Sequence, residues 1–167
     1  VSGMTWVRVL VGAVWLNGGL EKLLNPDFPR EFAASLQAGG FVSAAPAFFR
    51  VFMQNNVVPN AELVAQVVRA AELAMGVALI LGLFTNLAAL GSVALSVMIL
   101  LSQGGVSLGT GLGSPQFFTI NVVMAALSLI ILFSPAAKEA SLDAGLSRRR
   151  PGLSPLLTNT AGRRRRR

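Results

Sequence analysis

Apolar residues run along this chain in four long blocks, separated by short polar or proline-bearing stretches. The first block, from about Met4 to Leu24, is stopped by Asn25-Pro26-Asp27, because proline cannot continue a ladder of backbone hydrogen bonds. A second begins after Pro59-Asn60, with Asn60 placed to cap it, and continues to about Phe84, where Thr85-Asn86 supplies a tight turn. A third runs from Leu87 to Leu101, and a fourth follows Ser114-Pro115, from Phe117 to Phe133, ending at Ser134-Pro135. Not one charged residue lies between Glu72 and Lys138, and a bilayer crossing takes about 20 apolar residues. The pattern predicts an all-α integral membrane protein, a four-helix bundle with crossings at about 4–24, 61–84, 87–101 and 117–133. Short interfacial helices would occupy 25–60, and a basic tail 138–167.

The segment 25–60 is too polar and broken to cross, yet it carries helical signals. Pro29 can open a short helix and Gly39-Gly40 can end it. Farther on, Phe41, Ala45, Phe48, Phe49 and Phe52 recur at helical spacing and would form one aromatic face, lying in or just under the interface or packing on the bundle end. The stretch Gly104 to Gly113 resembles a phosphate-cradling loop, but no strand precedes it and no lysine accompanies it, so a plain connector is the better reading.

Composition agrees with a membrane protein, at 53% hydrophobic and 13% charged residues. The chain has no Cys and no His, which excludes disulfides, thiol exchange, an imidazole base and the common haem and zinc ligands. No intrinsic cofactor is expected; redox chemistry would belong to a partner or a bound small molecule. The start lacks a basic n-region and a small-residue cleavage site, so the first block is expected to stay as a membrane helix. Arg8, Lys138, Arg148 to Arg150 and Arg163 to Arg167 would lie on the side of the termini, against Lys22, Arg30 and Arg50 on the other, which makes the termini cytoplasmic.

Charge inside the apolar blocks marks the candidate chemistry. At 100° per residue, Arg8, Gly12, Trp15, Gly19 and Lys22 fall in one narrow stripe, whereas Asn17 and Glu21 point elsewhere. The glycines would admit a second helix closely. In the second block Glu62, Gln66, Arg69, Glu72 and Gly76 share a face, and Glu72 lies about 15 Å past Glu62 along the helix axis. A charge at mid-bilayer costs at least about 2.5 kcal/mol unless it is paired or hydrated. The two stripes should therefore face each other, with Arg69 pairing Glu72 near Lys22, and Asn121 on the fourth block at a similar depth. Each group also has a plainer role: Arg8 as an anchor reaching the headgroups, Lys22 beside Glu21 as an interfacial pair, Arg69 with Glu72 as a structural lock, and Asn121 in ordinary interhelical hydrogen bonding.

The spacing Arg8-x3-Gly12-x2-Trp15-x3-Gly19-x2-Lys22-Leu23, followed by Glu72-x3-Gly76-x2-Leu79-x2-Gly82-Leu83, resembles the DoxX/DoxD family of small four-helix membrane proteins. The likeness spans Trp6 to Phe133. It implies a subunit in the cytoplasmic membrane of a prokaryote, belonging to an oxidoreductase assembly similar to thiosulfate:quinone oxidoreductase and touching quinone. Arg8, Lys22 and Glu72 correspond to the family's recurrent polar positions. The absence of cysteine departs from cysteine-bearing relatives, and the insertion 26–59 and the basic tail lie outside the shared pattern.

A pocket lined by Lys22, Arg69 and Glu72 would bind a quinone headgroup or an anionic sulfur compound, its cations holding oxygens and Glu72 accepting a proton. Arg8 and Asn121 complete the set of candidate ligand-binding residues. The alternatives are an accessory subunit without chemistry, or a small transporter, for which four helices make a thin path unless the chain forms a homo-oligomer. The tail is expected to touch anionic lipids through its arginines, and lipid is favoured over nucleic acid because no aromatic platform accompanies them. Between Leu146 and Thr160 it is expected to order only against a partner subunit.

Overall fold

The computed structural model describes residues 1–39, 43, 45–102 and 120–159. Every regular element among them is helical. They are α1 (Gly3–Leu24), α2 (Phe28–Gln37), α3 (Ala47–Phe52), α4 (Ala61–Leu81), α5 (Thr85–Ser102), α6 (Ile120–Phe133), α7 (Leu142–Arg149) and α8 (Ser154–Leu157). The predicted Gly104–Gly113 connector, Phe41, and the terminal arginines lie outside the described residues.

Glycine decides the central packing. A Cβ on Gly12 would sit 2.9 Å from the backbone nitrogen of Ile80, one on Gly76 would sit 2.5 Å from that of Leu16, and one on Gly19 would sit 2.8 Å from that of Leu73. These pairings run in opposite directions along the two helices, so α1 and α4 are antiparallel and nearly in backbone contact. Around the crossing, Val11, Trp15, Met75, Leu79, Ala88, Ala89, Met124 and Ile131 form one core. A second core, with Ala33, Leu36, Phe49, Met53 and Val57, joins α2 and α3 to the start of α4.

Several boundaries differ from the sequence reading. α4 does not begin afresh at Asn60: a π-helical turn (Met53–Val57) and a 3-10 turn (Val58–Asn60) join it to α3, giving a helical run of 35 residues, Ala47–Leu81. Pro59, which lacks an N–H and would clash in an α-helical interior, sits in the 3-10 turn just past the wider one. Asn60 makes no capping bond, and its amide donates to Asn56 O at 3.0 Å. The turn after α4 falls at Gly82 to Phe84, with Gly82 at φ 67° and Phe84 at φ 47°, so Thr85 is already helical. The aromatic face also divides: Phe49 is buried at 7% exposure while Phe48 is exposed at 70%. The Pro29 and Gly39 boundaries of α2 stand as read, with Gly39 at φ 80°.

Among the described residues two helices are long and apolar enough to cross a membrane, Ala47–Leu81 and Thr85–Ser102, and they suggest membrane association; Ile120–Phe133 is a shorter apolar helix.

The segment after α6 folds back on the chain itself, contrary to the expectation that it orders only on a partner. Asp143 is fully buried, and its carboxylate accepts the N–H groups of Phe84 at 2.8 Å and Thr85 at 2.7 Å. These are the otherwise unpaired donors at the start of α5, which side-chain oxygens satisfy well. The Asp143 N–H in turn donates to Gly82 O at 2.9 Å. Lys138, also fully buried, donates to Leu132 O at 2.7 Å and Asn159 Oδ1 at 3.0 Å.

Candidate functional site

At the C-terminal end of α1, the Lys22 Nζ donates to Glu72 Oε2 at 2.7 Å, and among the described residues this is the ion pair that joins two helices. Glu72 is 3% exposed and Lys22 28% exposed. Gly18 permits the approach, since a Cβ there would stand 3.2 Å from Glu72 Oε2. The ammonium also lies within 3.3 Å of Gly18 O and stands 5.8 Å from the centre of the Phe28 ring. Removing the charge from either partner would leave the other largely desolvated, a large penalty compared with the modest net value of an intact buried pair.

The pair opens into a cavity of about 430 Å³. Its walls are apolar, with Phe28, Phe32 and Leu36 from α2, Val64 and Val68 from α4, and Leu95 and Met98 from α5. Glu31, Ser35 and Ser102 are the remaining polar residues of the lining besides Lys22 and Glu72. An apolar chamber with a few convergent polar groups is the usual form of a small-molecule site.

The other residues singled out from sequence take different places. Arg69 does not pair with Glu72: its guanidinium reaches Lys22 O at 3.4 Å, and it is absent from the cavity lining. Helical phase explains the difference, since three residues turn the side chain 60° away from Glu72, while Lys22 on α1 faces it squarely. Glu62 and Gln66, assigned to the same stripe, are exposed. Arg8 lies about 21 Å along the α1 axis from Lys22. It neither joins the cavity nor reaches outward as an anchor, being 2% exposed. Its Nη1 donates to Ala137 O at 2.9 Å and its Nη2 to Ala140 O at 2.8 Å, tying the returning segment to α1. Asn121 is buried on α6, and α6 contributes nothing to the cavity wall among the described residues.

Three features escaped the sequence reading. The α2 residues that roof the cavity carried only an amphipathic spacing, with nothing to say what they would cover. Trp15 Nε1 donates to Ser92 Oγ at 2.6 Å, and Ser92 Oγ lies 2.6 Å from Ser128 Oγ, so a polar chain crosses the core between α1, α5 and α6. Serine within apolar helices gave no hint of its partner. Burial holds the Lys138 amine down at about 8 against its ordinary 10.5, with Asp143 pulling the other way.

The family model for DoxD, described as the TQO small subunit DoxD, matches residues 4–154. No curated protein and no solved structure matches the chain.

Proposed function

The chain belongs to the DoxD family, the small subunit of thiosulfate:quinone oxidoreductase, and on that premise we propose that the Lys22–Glu72 cavity receives the headgroup of a membrane quinone. The carrying observation is a desolvated ion pair opening into an apolar chamber. A quinone matches this chemistry: its ring and isoprenoid chain suit Phe28, Phe32, Leu95 and Met98, and a carbonyl oxygen suits the Lys22 ammonium. A small sulfur oxyanion fits less well, because Glu72 and Glu31 would repel it and one ammonium already committed to a carboxylate is the lining's cationic donor.

In this reading Lys22 orients the quinone through a carbonyl oxygen, and Glu72 relays protons to the reduced ring. The electrons come from the donor side of the assembly, whose partner subunits family membership implies. The chain would span the membrane four times with both termini cytoplasmic, supported by the two long apolar helices, the fully helical bundle and the bias of basic residues. α2 and α3 would then roof the cavity at the opposite face.

The test is thiosulfate-dependent quinone reduction in membranes. Glu72→Gln keeps shape and hydrogen bonding but not proton transfer, and should lower turnover at least tenfold per folded molecule recovered in the membrane. Activity at the parental level in both Glu72→Gln and Lys22→Met would overturn the assignment.

A further inference from the structure

The exposed face of α1 runs through Trp6, Leu10, Ala13, Asn17, Leu20 and Leu24, all exposed and spaced alternately by four and three residues. Such spacing keeps one stripe on the same side of a helix throughout its length. Comparable exposed stripes on the other long helices are uniformly apolar: positions 63, 67, 70, 74, 77 and 81 of α4, and 123, 126, 130 and 133 of α6. Those faces suit lipid. The α1 face differs by the Asn17 carboxamide, with Glu21 exposed at its edge one turn nearer the helix end.

Asn17 stands seven residues before the end of α1, about 10 Å along the axis, one residue from the Gly18 that abuts Glu72. On the membrane reading given above, from which this inference starts, that depth is well inside the hydrocarbon. Among the described residues Asn17 has no hydrogen-bond partner. Lipid tails offer none, and an amide left unpaired there is costly. Its own helix can take one amide N–H at most, through the carbonyl a turn earlier, as Asn56 does with Phe52 O, so the other donor and the acceptor call for another helix.

We propose that this face of α1 is the contact between two copies of the chain, with Asn17 of each hydrogen-bonded to Asn17 of the other. The occupant follows from the chemistry of the group. A carboxamide carries both donor and acceptor, so it complements itself across a two-fold axis, where a residue meets its own counterpart. A lysine or glutamate at the same place would repel its copy. Ala13, one turn away, is small enough for the backbones to draw close, and Leu10 and Leu20 flank the polar pair with apolar contact. A single asparagine in an apolar seam also fixes register, because any slip leaves both amides unpaired.

The chain has no cysteine, so single thiols report the contact directly. Ala13→Cys and Leu20→Cys probe the proposed seam, with Ala70→Cys and Ala74→Cys on α4 as lipid-facing controls, all in full-length chain with its partner subunits in native membranes. Oxidation should link two copies through positions 13 and 20 and not through 70 or 74. Asn17→Val should weaken association of labelled chains in phospholipid vesicles about three- to thirtyfold, and Asn17→Gln should restore most of it. Equal linking at all four positions, none at 13 and 20, linking to a different chain, or an Asn17→Val variant that associates like the parent would each overturn the proposal. Labelling of positions 70 and 74 by a membrane-impermeant maleimide isolates the premise: ready labelling means that the four-crossing placement has failed, whatever the cross-linking gives.

Discussion

Replacing Gly76 by alanine adds one methyl group where α1 and α4 nearly touch. The new Cβ would lie 2.5 Å from Leu16 N and 2.7 Å from Leu16 Cα, against an ordinary contact distance of 3.4–4 Å. Both opposing atoms are backbone, so no side-chain rotation relieves the clash. α1 must withdraw by about 1 Å, and such overpacking costs about 1–3 kcal/mol. Alanine recovers up to ~1 kcal/mol through its higher helix propensity, leaving a net loss of up to about 2 kcal/mol. The same substitution at Gly145 in α7 meets nothing within 4 Å, so it should be neutral or stabilising by about 0.5–1 kcal/mol. Unfolding in mild detergent by graded addition of SDS reads both, with an earlier midpoint for Gly76→Ala and an unchanged or later one for Gly145→Ala. A Gly76→Ala protein at least as resistant as the parent would refute the claim that backbone contact, rather than side-chain fit, sets the α1–α4 distance. The displacement also bears on the site, because Glu72 is one turn from Gly76. Quinone reduction should fall along with stability, most steeply at low quinone concentration.

Two further outcomes concern the opposite end of the molecule. Arg8→Met removes the donors to Ala137 and Ala140 and should loosen the returning segment, so that trypsin cuts at Arg148–Arg150 several-fold faster while the Lys22–Glu72 end keeps its activity. Lys138 sets a pH dependence whose sign follows from its lowered value of about 8. Below that pH both folded and unfolded chains hold the proton and this residue contributes no slope. Between about 8 and 10.5 the unfolded chain binds a proton that the folded one has shed, so stability should rise with pH and then level off. Melting measured across this range should show the rise, and Lys138→Met should remove it; a fall in the parent would contradict the buried placement.

The ion pair at the heart of the candidate site is legible in the sequence. Placing Lys22 and Glu72 on helical stripes that also carry Gly12, Gly19 and Gly76 turned the two stripes toward each other with charges opposed, and in the structure each of these glycines abuts the other helix and Lys22 meets Glu72. Arg69 shows what helical spacing leaves open. Sequence spacing placed it one turn from Glu72, but proximity along a helix does not aim two long side chains at each other, and the cation that arrived came from α1. Arg8 shows the same limit in another form: snorkelling was the cheap solution for an isolated helix, and only the return of residues 136–140 supplied carbonyls to bury it against.

What this chain's sequence determined alone was local and periodic. Apolar blocks, proline stops and the Pro29 and Gly39 signals specify where helices run, because hydrogen bonding and burial act over a few residues at a time. What tertiary structure alone decided was which other groups meet across distant segments: α2 roofing a chamber beside Lys22, Asp143 capping a helix that starts at Thr85, the Trp15–Ser92–Ser128 chain, and the docking of the last helices. Those pairings depend on how whole helices pack. A residue's own neighbours along the chain carry no record of which partner that packing will bring.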